Sequence, residues 1–195
     1  MICLSKEELV IYSDRDILQA CSLEEGDAKR LVIEPFSESH LQPASYDITL
    51  DNSFCITKTC KKPIDVKEKE NNFVKVNYDD FILYPQSFVL ANTHEYISLP
   101  SGLTAQVQGR SSLGRLGLFI QNAGWIDPGF SGQITLELFN AGRRPIKLDV
   151  GMRIGQLIFA ECKSACDNPY NGKYKEQRGA TASRIYLDYK ENDNG

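Results

Sequence analysis

A chain of 195 residues, 42% hydrophobic and 25% charged, can bury a sizeable core and has the balance of an ordinary soluble domain. Its formal charge of −4 argues against bulk nucleic-acid binding, which needs a basic surface to displace phosphate counterions. A small anion is not excluded, because it answers to a few local Arg, Lys and backbone N–H groups.

No stretch approaches the roughly 20 apolar residues of a membrane span. The opening MICLSKEELVIYSDRD carries acids where a signal peptide has a positive flank, so the expectation is a cytoplasmic protein with no membrane partner. Cys3, Cys21, Cys55, Cys60, Cys162 and Cys166 are spread thinly over a long chain, which favours reduced thiols over a disulfide framework.

Two capping signatures come first, Ser5 with Glu8 and Ser13 with Asp16, each pairing a hydroxyl with an acid three residues on. The second precedes Ile17, Leu18 and Cys21, which predicts a short helix packed on one face. From Leu31 the pattern changes to short β-rich runs, among them Tyr46–Leu50, Phe81–Leu83, Phe88–Ala91, Leu103–Val107, Gln133–Phe139 and Ile154–Phe159. Turn signals at Asp51-Asn52, Pro100-Ser101-Gly102, Asp127-Pro128-Gly129 and Asn140-Ala141-Gly142 separate them. The expected fold is all-β with short helices, a distorted barrel or jelly roll. Lys61–Asn72 and Lys190–Gly195 are polar and charged and read as exposed segments. With no repeat and no long linker, residues 1–195 are expected to form a single domain.

Gly109–Arg115, GRSSLGR, gathers two glycines, two hydroxyls and two guanidiniums directly after a strand-like run. Glycines let backbone N–H groups approach a ligand, hydroxyls donate to phosphate oxygens, and Arg adds bidentate charge. A polar surface turn accounts for the same residues. The spacing is not that of a P-loop. In Gln121–Glu137, the small Ala123-Gly124 backbone would present its edge to a planar base, with Trp125 as an apolar wall and Asp127 beside a sugar or a water. Equally, Trp125 would be core and Asp127 a turn cap. Along Gln133–Phe139, Ile134, Leu136 and Leu138 share one face and Thr135, Glu137 and Phe139 the other. Glu137 is then either an exposed strand carboxylate or one in a pocket with a raised pKa. Only His40 and His94 are present and no CxxC occurs, which disfavours a zinc-activated water and a Ser-His-Asp triad. Tyr170–Arg184 reads either as a solvated tail or as an arm closing over phosphates.

GRSSLGRLG, IDPGFSGQITLELFN and KYKEQRGATASRI, with the earlier SDRDI and PASYDITL, resemble the dCTP deaminases of the trimeric dUTPase superfamily. The resemblance covers nearly the whole chain. It implies a homotrimer with interfacial sites, a Mg²⁺ held mainly through the triphosphate, and a C-terminal arm (about 168–195) over the nucleotide. It implies that Arg110, Ser111, Ser112, Leu113, Gly114 and Arg115 bind phosphates and that Asp127 contacts deoxyribose. Thr135, Leu136 and Glu137 form the catalytic strand motif, with Glu137 activating water at C4 of cytosine. Gln156, Tyr170, Lys173 and Gln177 match later nucleotide contacts.

Deaminases that stop at dUTP resemble TAHRID where this chain reads NAGWID at Asn122–Asp127. The Gly124-Trp125 form resembles the bifunctional, dUMP-forming deaminases, where Asp127 would also help aim water at the α-phosphorus. Those relatives carry Thr where this chain has Asn122, and here the turn is one residue shorter. A plain dUTPase resembles RSGLA rather than RSSLG and has a glycine-rich arm that this chain lacks. The function implied is conversion of dCTP to dUMP, ammonia and pyrophosphate. The alternatives are a deaminase stopping at dUTP, a dUTPase, and a non-catalytic nucleotide-binding regulator. dUTP as a ligand and dTTP as an inhibitor belong to the same implication.

Overall fold

The computed structural model describes residues 10–69, 72–120 and 124–190, so the Ser5–Glu8 pair and Gln121, Asn122 and Ala123 lie outside them. The second capping signature forms as expected. Ser13 caps α1 (Asp14–Cys21), its hydroxyl accepting from the Asp16 N–H while the Asp16 carboxylate accepts from the Ser13 N–H at 2.8 Å. Such a cap stabilises a helix by about 1 kcal/mol. Ile17 and Ala20, three residues apart, bury the inner face.

The strands in chain order are β1 (Val32–Glu34), β2 (Leu41–Gln42), β3 (Ser45–Thr49), β4 (Ser53–Thr57), β5 (Phe73–Asn77) and β6 (Asp80–Leu83). Then come β7 (Phe88–Ser98), β8 (Leu103–Gly109), α2 (Ser111–Gly114), β9 (Leu118–Ile120) and β10 (Trp125–Ile126). The last are β11 (Ser131–Asn140), β12 (Ile146–Asp149), β13 (Arg153–Glu161) and α3 (Leu187–Lys190). One sheet runs β5-β4-β7-β11-β9, with β1 also pairing with β7; the second runs β10-β8-β13-β3-β2; β6 and β12 form a ribbon. Every ladder is antiparallel.

The two sheets enclose one core. Tyr46, Ile48, Leu157 and Phe159 from the second sheet meet Phe54, Val89, Leu136 and Leu138 from the first, all nearly inaccessible to water. Two stacked antiparallel sheets are the jelly-roll form of the expected fold. β4 and β5, absent from the strongest sequence runs, flank the exposed charged segment and pair with each other over five residues. Cys21, Cys55, Cys60, Cys162 and Cys166 are all free thiols. No helix among the described residues is long and apolar enough to cross a membrane.

Candidate active site

Strand alternation decides where Glu137 stands. Along β11, Ile134, Leu136 and Leu138 are buried while Thr135, Glu137 and Phe139 are only partly covered, on the opposite face. Near its start the strand bulges against β7, and the Ile134 N–H donates to the Thr93 hydroxyl at 2.9 Å instead of to the ladder. The outward face opens on a cavity of about 570 Å³, a size that suits a small-molecule ligand. Its walls bring Phe88 and Leu90 of β7, Val107 of β8, Phe130 and Phe73 against Thr135 and Glu137. No Lys, Arg or His lines it among the described residues. Burial against these apolar walls raises the Glu137 pKa above the usual carboxylate value. A carboxyl with its pKa raised in this way is better suited to take and return a proton than an exposed one.

Gly124, Trp125 and Asp127 reach the same cavity from the neighbouring sheet. Short β10 is pinned to β8, Val107 N–H donating to the Gly124 carbonyl at 2.7 Å and the Thr104 hydroxyl to the Ile126 carbonyl at 2.7 Å. Trp125 is not core: it is 60% exposed. Its indole N–H donates to the Asp127 carboxylate at 3.1 Å, so the side chain of Asp127 answers to the indole. The turn that follows needs Gly129, which has φ +84° and whose added Cβ would lie 2.5 Å from Pro169.

Pro169 starts the C-terminal segment, which returns over the cavity. Tyr170 N–H donates to the Pro128 carbonyl at 2.8 Å, and its ring packs on Phe130. Further along, the Gln133 N–H donates to the Gln177 carbonyl at 3.0 Å, and the Thr181 N–H donates to the Thr135 hydroxyl at 3.2 Å. Tyr170, Tyr174, Gln177, Thr181 and Ser183 thus complete the wall facing Glu137.

The remaining sequence-identified residues fall elsewhere. Arg110 and α2 follow β8, and none of Arg110–Arg115 lines the Glu137 cavity. Ser111, Ser112 and Arg115 are exposed, while Leu113 packs against the core. Gln156 belongs to this second group, at the centre of β13 with its amide oxygen accepting from the Ser45 hydroxyl. Leu136 has a fully buried side chain, leaving only its backbone for a ligand. Lys173 is paired with Asp188 at 2.5 Å, which raises its pKa, and it does not line the cavity.

Sequence reasoning passed over Asp47 as a site residue. It is 1% exposed on β3, with Arg110 at 3.5 Å and Arg153 at 3.3 Å from its carboxylate. Arg110 also donates to the Arg153 carbonyl. Asp47 therefore roots the first arginine of the exposed turn. The signal was an acid in the middle of a strand whose every residue is buried.

Comparison with known proteins agrees with these motifs. A model of the DCD family, described as dCTP deaminase-like, matches residues 11–162. A protein of Persephonella marina named dCTP deaminase, dUMP-forming is 50% identical over 183 residues, covering 92% of this chain and 99% of its own. One of the same name from Aquifex aeolicus is 48% identical over 180 residues, covering 92% and 97%. Among solved structures, the 2'-deoxycytidine 5'-triphosphate deaminase of Agrobacterium tumefaciens superposes with a TM-score of 0.62 at 25% identity over 79% of this chain. This chain spans 49% of that longer one. With a family match across most of its length and relatives near half identical, the chain belongs to the dCTP deaminase-like family.

Proposed function

We propose that this protein converts dCTP to dUMP, ammonia and pyrophosphate, using Glu137 as the proton-transfer group of the deamination. The observation that carries this reading is a carboxylate with a raised pKa in a largely apolar-walled cavity that, among the described residues, has no basic side chain. Relatives across nearly the full chain bear the name dCTP deaminase, dUMP-forming.

In this reading Glu137 takes a proton from water as its oxygen adds to C4 of cytosine, giving a tetrahedral centre. The carboxyl passes that proton to N3, then carries the proton of the new C4 hydroxyl to the exocyclic amine, and ammonia leaves as the C4 carbonyl forms. Phe88, Leu90 and Val107 keep bulk water from the carboxyl. Asp127, aimed by the Trp125 indole, stands beside the deoxyribose and orients a second water toward the α-phosphorus, where attack releases pyrophosphate.

A triphosphate carries several negative charges, and among the described residues the Glu137 cavity offers no cation to meet them. Arg110, Ser111, Ser112, Gly114 and Arg115 have that chemistry but do not line the cavity, which supports a site completed by a second copy of the chain in a homotrimer. Lys173 exchanges Asp188 for phosphate as the arm settles over the nucleotide. Among the described residues no group of three or more His, Cys, Asp or Glu gathers to cage a metal. The reading includes a Mg²⁺ ligated mainly by the triphosphate, where it would neutralise phosphate charge. The reading places the enzyme in the cytoplasm, with dUTP as a second ligand of the same cavity and dTTP as its inhibitor.

The test is product identification after incubation with dCTP and Mg²⁺. Ammonia with dUMP is the expected outcome. Ammonia with dUTP restricts the protein to deamination, and no ammonia overturns the reading in favour of a non-catalytic binder.

A further inference from the structure

Glu176 carries an unusual combination. It has φ +59°, a left-handed conformation that an L-residue with a Cβ rarely adopts, in a chain that uses glycine for most such positions. It is also held on three sides. Its N–H donates to the Ser131 carbonyl at 2.7 Å; one carboxylate oxygen accepts from the Ser131 hydroxyl, and the other accepts from the Tyr96 hydroxyl at 2.6 Å. Ser131 opens β11, and Tyr96 lies on β7, so one side chain ties the arm to two strands. Arg178, two residues on, stacks over the Tyr96 ring with its guanidinium carbon 4.2 Å from the centroid.

The residue fixed by this tie is Gln177. It follows Glu176 directly, is 8% exposed and lines the Glu137 cavity. Its amide N–H donates to the Gln133 carbonyl at 2.8 Å, while its amide oxygen is buried with no hydrogen-bond partner. Gly132 gives it room: an added Cβ there would come within 3.1 Å of the Gln177 backbone. A buried acceptor without a donor is costly to hold in place. The Glu176 tie, one residue away, adds to the Gln133 contacts that offset this cost and keep Gln177 against the cavity.

We propose that Glu176 is a positioning residue: the Ser131 and Tyr96 hydroxyls clamp its carboxylate, locking the arm so that Gln177 faces the nucleotide cavity. The two hydroxyl donors, followed by the charges of Lys175 and Arg178, keep the Glu176 carboxyl below its ordinary pKa, so the clamp is in its ionised, acceptor form at neutral pH. The nucleotide part of this inference rests on the function proposed above; the arm's order does not.

Two variants separate side chain from backbone. Glu176→Ala removes the carboxylate and keeps the strained φ, whereas Glu176→Gly removes the carboxylate and relaxes the φ. The expected result is that both raise KM for dCTP about fivefold with kcat changed less than about twofold. In the nucleotide-free protein, amide exchange at residues 177–181 should quicken about fivefold in both, with the core strands unchanged. Tyr96→Phe, which removes one donor only, should move both readings the same way by a smaller factor. Unchanged exchange and KM in Glu176→Ala overturn the proposal. So does a Glu176→Gly protein that matches the parent while Glu176→Ala does not, since the backbone alone would then set the arm. The exchange measurement decides on the clamp even if the parent protein forms no ammonia.

Discussion

Two parts of the molecule carry the residues proposed to bind a nucleotide, and they are built differently. Around Glu137 the protein is partly enclosed: β7, β8, β11 and the returning arm supply walls, and desolvation raises the carboxyl's pKa. Around Arg110–Arg115 it is open, with Ser111, Ser112 and Arg115 in solvent and only Arg110 rooted, through buried Asp47. The enclosed part is preorganised for proton transfer, where dielectric and pKa matter. The open part is a surface of hydrogen-bond donors that does not line the Glu137 cavity. In the function proposed above, proton chemistry is settled within one subunit, while charge neutralisation is left to an assembly.

The largest effect expected from breaking this division is at Glu137. Glu137→Gln keeps shape and removes the proton acceptor, so ammonia release should fall by about 10³-fold or more while dCTP binding, followed by calorimetry, persists. Retained deamination would take Glu137 out of its role. The next test sharpens the comparison itself. Arg115→Ala should weaken dCTP binding by about tenfold, as the loss of a charge-assisted contact does. Unfolding and co-refolding it with Glu137→Gln should regain a measurable fraction of parental activity, because some mixed assemblies pair an intact carboxylate with an intact arginine. If the mixture is no more active than its parts, each site is built from one chain and the shared arrangement is wrong.

The smallest effect concerns stability. Because burial raises the folded pKa of Glu137, the folded chain holds that proton to higher pH than the unfolded chain does. Its contribution is complete below the unfolded carboxylate pKa of about 4.3 and is lost as pH rises through the folded value. Glu137→Gln cannot ionise and escapes that loss. Its Tm should therefore exceed the parent's at pH 7, and the difference should shrink toward pH 4. A Tm difference that grows on acidification would show that the carboxylate is stabilised by its surroundings, contrary to the cavity's chemistry.

Much of the fold was legible because it is local. The Ser13–Asp16 cap and the alternation of Gln133–Phe139 both rest on spacing within a few residues, and both formed as read. β4 and β5 were harder to see, since SFCIT and FVKVN are short and partly covered and owe their strand state to each other across a charged segment. Trp125 shows a different limit. Its size fits a core residue as well as a pocket wall, and only its place at the edge of the second sheet leaves it 60% exposed. Asp47 shows the converse: a strand acid whose worth depends on two arginines more than sixty residues away.

The sequence by itself determined the capped helix, the strand pattern, the outward side of Glu137 and the linked motifs that place the chain in its family. These follow from periodicity, capping and residue chemistry, which act over a few positions. The tertiary structure alone decided that Glu137 faces a desolvating cavity and that Trp125 orients Asp127. It also decided that the arm lies along β11 with Gln177 bonded to Gln133, and that the arginine turn does not line that cavity. Each depends on surfaces brought together from distant parts of the chain, and burial, which sets pKa and hydrogen-bond choice, exists only once they meet.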